Sequence, residues 1–287
     1  MPPPLTIRNM GVKDFASADS LRSLSSWNQT HADWARFLYI SPETCFIAEI
    51  NGQVVGTATL TLYGITLAWV GMMLVHPEYR RQGIGKRLLE HCLAQSRQRG
   101  IRTVVLAATP AGKQLYDSLG FVDQYTLSRW AGRSAIACSG SLPTGMSEWH
   151  ETDSVQVEGL DSEAFGVSRS AMRDALAGDS ISKRVLRSPS NQIEGYGFLR
   201  KGANAAYLGP VVARTAEGGI QLLEALLARS NAENVYLDSP DANSAAAHWA
   251  QKRGFGIQRP LIQMFVGASP PPGNPELQFG LAGPEVG

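Results

Sequence analysis

Cysteine is scarce in this chain: Cys45, Cys92 and Cys138 are the only three in 287 residues. Three scattered thiols fit neither a disulfide framework nor a thiolate metal site, so no metal is expected and a reducing, cytoplasmic setting is. Charge of one sign is also lacking, because 26 basic residues face 25 acidic ones for a net charge of +1. That balance excludes the broad positive footprint of a nucleic-acid binder. No apolar run approaches the roughly 20 residues that span a bilayer, and the start Met1-Pro2-Pro3-Pro4 lacks a signal-peptide core, so no membrane partner is expected.

What is present is enough apolar material for two domains, at 44% hydrophobic residues. The most informative stretch begins as the apolar run Leu67 to Val75 and turns through Arg80-Arg81-Gln82-Gly83-Ile84-Gly85-Lys86 into a helical pattern of Leu88, Leu89, Cys92 and Leu93. Gly83 and Gly85 permit a tight turn and close ligand approach. Free amides at the helix start, with Arg80, Arg81 and Lys86 nearby, favour a pyrophosphate. The glycine-lysine-serine/threonine order of a P-loop is absent, and Arg80 replaces the first glycine of a dinucleotide fingerprint.

This segment resembles the acetyl-CoA binding motif of the GNAT superfamily of N-acetyltransferases. A second GNAT-like motif follows, a strand Thr103 to Ala108 and a short helix carrying Leu115-Tyr116-Asp117-Ser118-Leu119-Gly120-Phe121. The resemblance implies a mixed α/β sheet with the acetyl thioester in a split between the fourth and fifth strands. It implies cofactor contacts from Leu74, Val75, Arg80, Arg81, Gln82, Gly83, Ile84, Gly85, Lys86 and Thr109, the last standing where many members carry asparagine. It also implies Tyr116 beside the CoA sulfur.

A degenerate copy of this half recurs at a shift of 134 residues: Leu88-Leu89-Glu90 matches Leu222-Leu223-Glu224, and Gly120-Phe121 matches Gly254-Phe255. Arg80 and Gly85 likewise match Arg214 and Gly219. Glu217 replaces Gly83, and Ala250 replaces Tyr116, so the copy has lost a neutral phosphate loop and a proton donor. Leu160-Asp161, Phe165-Gly166, Arg169, Gly195-Tyr196, Leu208 to Ala213, Asp238-Ser239-Pro240 and Asn243 resemble the domain that accompanies some bacterial GNAT enzymes of the YitH type. The expected organisation is a GNAT domain over 1–131, a linker over 132–154, a degenerate GNAT-like domain over 155–267 and a flexible Pro/Gly-rich tail over 268–287. One domain followed by an unrelated α/β module is the alternative.

The first domain reads as strand 5–9, helices 12–25 and 30–40, strands 44–50, 53–62 and 66–75, helix 83–99, strand 103–108, helix 110–119 and strand 122–131. Acetyl transfer to an amine needs a free nucleophile, an oxyanion donor and a proton for the thiolate. A backbone amide near Val75 suits the second role and the Tyr116 phenol the third. Glu43, Glu49 and Asp117 are the acidic candidates for the base, and none is singled out. Asp161 and Asp238 read as caps or turn formers. Trp27, Trp34, Tyr39, Tyr63 and Trp69 are the candidates for binding the acceptor, with core packing as the competing role. The expected activity is acetyl-CoA-dependent N-acetylation of a small amine by a monomer or homodimer, with an aminoglycoside-type amino sugar as one candidate. A noncatalytic acyl-CoA sensor and a peptide N-terminal acetyltransferase are the alternatives.

Overall fold

In the computed structural model, residues 4–134 and 142–287 are described. The first half runs β1 (Leu5–Asn9), α1 (Phe15–Leu24), α2 (His31–Ile40), β2 (Cys45–Ile50), β3 (Gln53–Tyr63), β4 (Leu67–Val75), α3 (Ile84–Gln98), β5 (Thr103–Ala108), α4 (Pro110–Asp117) and β6 (Val122–Arg133). Local chemistry sets these limits. Asp33 accepts a hydrogen bond from the Thr30 amide at 2.6 Å to cap α2. Asn51 and Gly52, both at positive φ, turn β2 into β3. Along α3, Leu88, Leu89, Cys92 and Leu93 face Phe46, Leu60, Val70 and Leu106 of the sheet. Burying each such leucine contributes about 1.5–3 kcal/mol.

The second half repeats the plan: β7 (Met146–Glu148), α5 (Asp153–Phe165), α6 (Ser170–Gly178), β8 (Ser180–Arg187), β9 (Ile193–Arg200), β10 (Ala206–Ala213), α7 (Ala216–Leu227), β11 (Asn234–Pro240), α8 (Ser244–Lys252) and β12 (Gly256–Gly267). The shift of 134 residues carries the first residue of β6, Val122, onto the first of β12, Gly256. Cys138 and part of the expected linker lie outside the described residues. Of the rest of that linker, residues 132 and 133 end β6, Met146–Glu148 form β7, paired with β8 at the sheet edge, and Asp153 opens α5.

All strands join one mixed sheet in the order β1-β2-β3-β4-β5-β12-β6-β11-β10-β9-β8-β7. The final strands of the two halves are therefore exchanged. β12 lies antiparallel to β5, with Ile262 opposite Ala108, and β6 lies antiparallel to β11, with Trp130 opposite Leu237. One apolar cluster under α1, α2, α5 and α6 spans both halves, with Trp34, Trp69, Tyr196 and Phe198 at its centre.

Residues 268–287 are not a loose tail. A short 3-10 turn at Pro275–Leu277 leads into β13 (Gln278–Gly280), which pairs with β10, and Phe279, Leu281, Ala282 and Val286 are buried. Prolines and glycines bar long regular elements, yet they let the segment thread between the two halves, which supply its partners.

Candidate active site

β4 pairs in parallel with β5 only from Leu67 opposite Thr103 to Val70 opposite Leu106. Beyond that the two strands part. On its other edge β4 carries a bulge, since Thr57 faces Leu74 and Thr59 faces Gly71, leaving Met72 and Met73 opposite Ala58 alone. Met72 sits at φ 47, and the Thr57 hydroxyl donates to its carbonyl at 2.7 Å. A bulge of this kind turns peptide groups out of the ladder, leaving donors for an extended ligand in the split.

The loop after β4 has the conformation expected for an anion cradle. Arg81 and Gly83 adopt positive φ of 62 and 79, and Gly83 is the N-cap of α3. A β-carbon on Gly83 would touch nothing within 4 Å, so the requirement there is backbone conformation. Ile84 is buried and anchors the loop, while Arg81, Gln82 and Lys86 are exposed. Arg80 Nε donates to the Val75 carbonyl at 3.2 Å, tying the loop to the strand end. The amides opening α3, beside these cations, suit a diphosphate.

Between the parted strands lies a cleft, with Val70, Gly71, Met72 and Met73 along one wall. The cleft reaches the bulge, whereas Leu74 and Val75 stand between it and the loop. Leu106, Ala107, Thr109 and Tyr116 form the opposite side. Thr109 caps α4, its hydroxyl accepting from the Gly112 amide at 3.2 Å. Tyr116 is buried, and burial pushes its phenol up to about 12.

The aromatic candidates separate. Trp27 lines the cleft. Trp34 is fully buried in the shared core, and Tyr39 is 83% exposed, so neither is brought to the site. Tyr63 and Trp69 lie beneath residues 284–286, donating to the Val286 carbonyl at 2.6 Å and the Pro284 carbonyl at 3.1 Å. The acidic candidates stand elsewhere: Glu43 pairs with Arg99, Glu49 with Arg8 and Asp117 with Lys113.

Two charged residues absent from the sequence reading reach the cleft, Arg259 from β12 and Glu285 from the final segment. Glu285 is buried and accepts from Gln29 Nε2 at 2.7 Å. Burial, then the negative charge of Asp33, raises its carboxyl above the ordinary range. Arg259 Nε is buried without a hydrogen-bond partner among the described residues. Its guanidinium is lowered by burial and by Arg129. For Glu285 the only signal in the sequence is a lone acid in the otherwise uncharged stretch 277–287.

In the second half the equivalent crevice is filled. β10 pairs with β11 from Ala206 to Leu208, and β13 then takes up β10 at Val211 and Val212. Phe279 joins the cluster that contains Ala250, the counterpart of Tyr116. Asp161 and Asp238 are neither caps nor turn formers. Each is fully buried, Asp161 against Arg169 at 2.9 Å and Asp238 against Arg129 at 2.6 Å. Their partners lie far enough away that local pattern rules misread them.

A parted strand pair with a bulge, an amide-rich cationic loop and a buried tyrosine fit the acyltransferase class of protein. Two family models, each described as an acetyltransferase (GNAT) domain, match residues 41–123 and 157–280, more than half of the sequence. The chain belongs to the GNAT acetyltransferases and carries two such domains in tandem. It is 27% identical over 181 residues to the uncharacterised N-acetyltransferase YitH of Bacillus subtilis, spanning 63% of each chain, so it matches less than two thirds of that relative's length. It is 25% identical over 250 residues to a holothin acyltransferase of a Pseudoalteromonas species, covering 85% of this chain and 82% of the relative. A crystal structure from Pyrococcus horikoshii shares the fold at a TM-score of 0.82 and 21% identity, covering 99% of this chain and 96% of that one.

Among the described residues no group of three or more histidine, cysteine, aspartate or glutamate side chains is placed to hold a metal ion. No helix among them is long and apolar enough to cross a membrane.

Proposed function

We propose that this chain is an acetyl-CoA-dependent N-acetyltransferase of a small amine, with the chemistry confined to the first domain. The observation that carries the reading is the contrast between the open β4/β5 split and its filled counterpart at β10/β11. Acetyl-CoA supplies an activated acetyl group on a thiol that departs readily. The amides from Gln82 to Lys86 with Arg80, Arg81 and Lys86 would hold its diphosphate, and the bulged backbone at Met72 and Met73 would turn an amide toward the thioester oxygen. Tyr116, kept protonated by burial, would give its proton to the departing sulfur.

The cleft lining bears on the acceptor. A polycationic aminoglycoside calls for several acidic residues, whereas among the described residues this cleft offers Glu285 alone, with Arg259 also in its lining. Pro284 and Glu285 of the final segment also line the cleft, taking space that an open peptide groove would need. Both features favour a small amine of low positive charge over an amino sugar or a peptide N-terminus. Tyr116 favours an enzyme over a sensor, because holding an acyl carrier needs no buried phenol at its reactive end.

The test is incubation of the purified protein with acetyl-CoA and a panel of amines, followed by thiol release and product mass. An acetylated small amine supports the reading. Acetyl-CoA binding with no acetylation of any amine would favour the sensor.

A further inference from the structure

We infer that Glu285, carried into the cleft by the segment that follows β13, is the general base that takes the proton of the acceptor amine. The inference rests on the cleft being an acetyl-transfer site, and it adds a residue from outside the first domain's own elements.

The segment is fixed by its backbone. Arg200 donates to the Ala282 carbonyl, Arg169 Nη1 to the Gly287 carbonyl at 2.7 Å, and Trp69 and Tyr63 to those of Pro284 and Val286. Gly71, beside the bulge, has no side chain, and the Glu285 backbone lies directly against it. The carboxyl is thereby set at the same cleft that Tyr116 lines.

Its surroundings suit a base. Among the described residues Glu285 is the only carboxylate lining the cleft, and it also borders an adjoining pocket shared with Gln29, Asp33 and Arg200. Its hydrogen bond comes from the neutral amide of Gln29, which leaves its basicity largely intact. Burial and Asp33 raise its proton affinity, while Arg200 and Arg129 oppose them. Arg259, Lys201 and Tyr207 complete the charged and titratable groups around the two cavities. A carboxyl raised above its ordinary range is better matched to an alkyl ammonium, whose pKa lies near 10.

The step balances. The ammonium gives one proton to Glu285, and the freed lone pair forms the C–N bond as the C–S bond breaks. The sulfur takes the phenolic proton of Tyr116, the second proton leaving nitrogen restores the phenol, and Glu285 releases its own to water.

The experiment compares wild type with Glu285→Gln on two acceptors found in the amine panel, an ordinary alkyl amine and a weakly basic analogue that is unprotonated at neutral pH. Calorimetric acetyl-CoA binding and the melting temperature are read alongside. The expected result is a loss in kcat/KM of about 10²-fold or more for the alkyl amine at neutral pH, shrinking for the weak base and as pH rises toward 10, with acetyl-CoA affinity unchanged. Equal activity of the two proteins, or an equal loss for both amines, overturns the assignment while leaving the proposed function standing. Wild type that acetylates no amine overturns both. If Glu285→Gln melts early, Glu285→Asp, which keeps the carboxylate, must restore the acidic limb of the pH profile or the assignment fails.

Discussion

A β-carbon on Gly219 would lie 2.4 Å from the ring of Phe279, so the phenylalanine occupies the ground directly over the start of α7. Gly219 is the repeat counterpart of Gly85, where the same added carbon would meet Leu115 at an ordinary 3.5 Å. The second domain thus spends its bare helix start on packing its own strand β13, and the first keeps it free for a ligand. The copy differs from the first half by a filled crevice as well as by changed residues.

Truncating that ring tests the division of labour. Phe279→Ala should destabilise the protein by about 3–5 kcal/mol in denaturant unfolding, the usual cost of an emptied aromatic site. It should not create a second acetyl-CoA site, because Glu217 and Ala250 remain in place. Calorimetry should still return one molecule bound per chain; two would show that Phe279 alone blocks the second domain.

Gly83→Glu, which copies Glu217 into the first domain, should abolish acetyl-CoA binding in calorimetry. Gly83 holds φ 79, where a side chain costs about 1–2 kcal/mol, and the added charge repels a diphosphate. Nothing lies within 4 Å of the added β-carbon, so the fold should survive and the melting temperature should fall only slightly. Retained affinity would remove the loop from the site.

Tyr116→Phe separates transfer from binding. The phenol, raised to about 12 by burial, is protonated throughout the usual assay range. Wild-type kcat should therefore show no alkaline decline from this group until the pH nears 12. The variant should lose about 10²-fold in kcat with acetyl-CoA affinity unchanged. A variant with full kcat would mean that the thiolate leaves without this proton.

The parts legible in the sequence are those whose backbone demands particular residues locally. Gly83 at positive φ, Thr109 and Pro110 opening α4 and the Asn51-Gly52 turn each betray their conformation within a few positions. The repeat is legible because a constant shift survives loss of chemistry. The strand exchange is not: β6 and β12 are equivalent strands of equal length, with Leu127 opposite Leu261, and neither encodes which half it will complete. Trp27 in the connection before α2 and Trp34 within α2 are seven residues apart, yet only the tertiary fold sends one to the cleft and the other to the core. Glu285 escaped because the rule that proline and glycine break regular elements says nothing about burial between two domains.

The same segment yields a second, independent handle on the active site. A β-carbon on Gly71 would fall 2.3 Å from the Glu285 carbonyl oxygen, and both sides of that contact are backbone, so no flexible side chain can swing aside. Gly71→Ala must push residues 284–286 off β4 and stretch the hydrogen bonds from Trp69 and Tyr63. The expected cost is about 1–3 kcal/mol, as for other overpacked sites. The diphosphate loop is tied to β4 at Val75, beyond the bulge, so acetyl-CoA affinity should change far less than turnover. Limited proteolysis should open the chain first between 277 and 287. If Gly71→Ala turns over normally with that segment still protected, the wall formed by Pro284 and Glu285 has no part in acceptor chemistry.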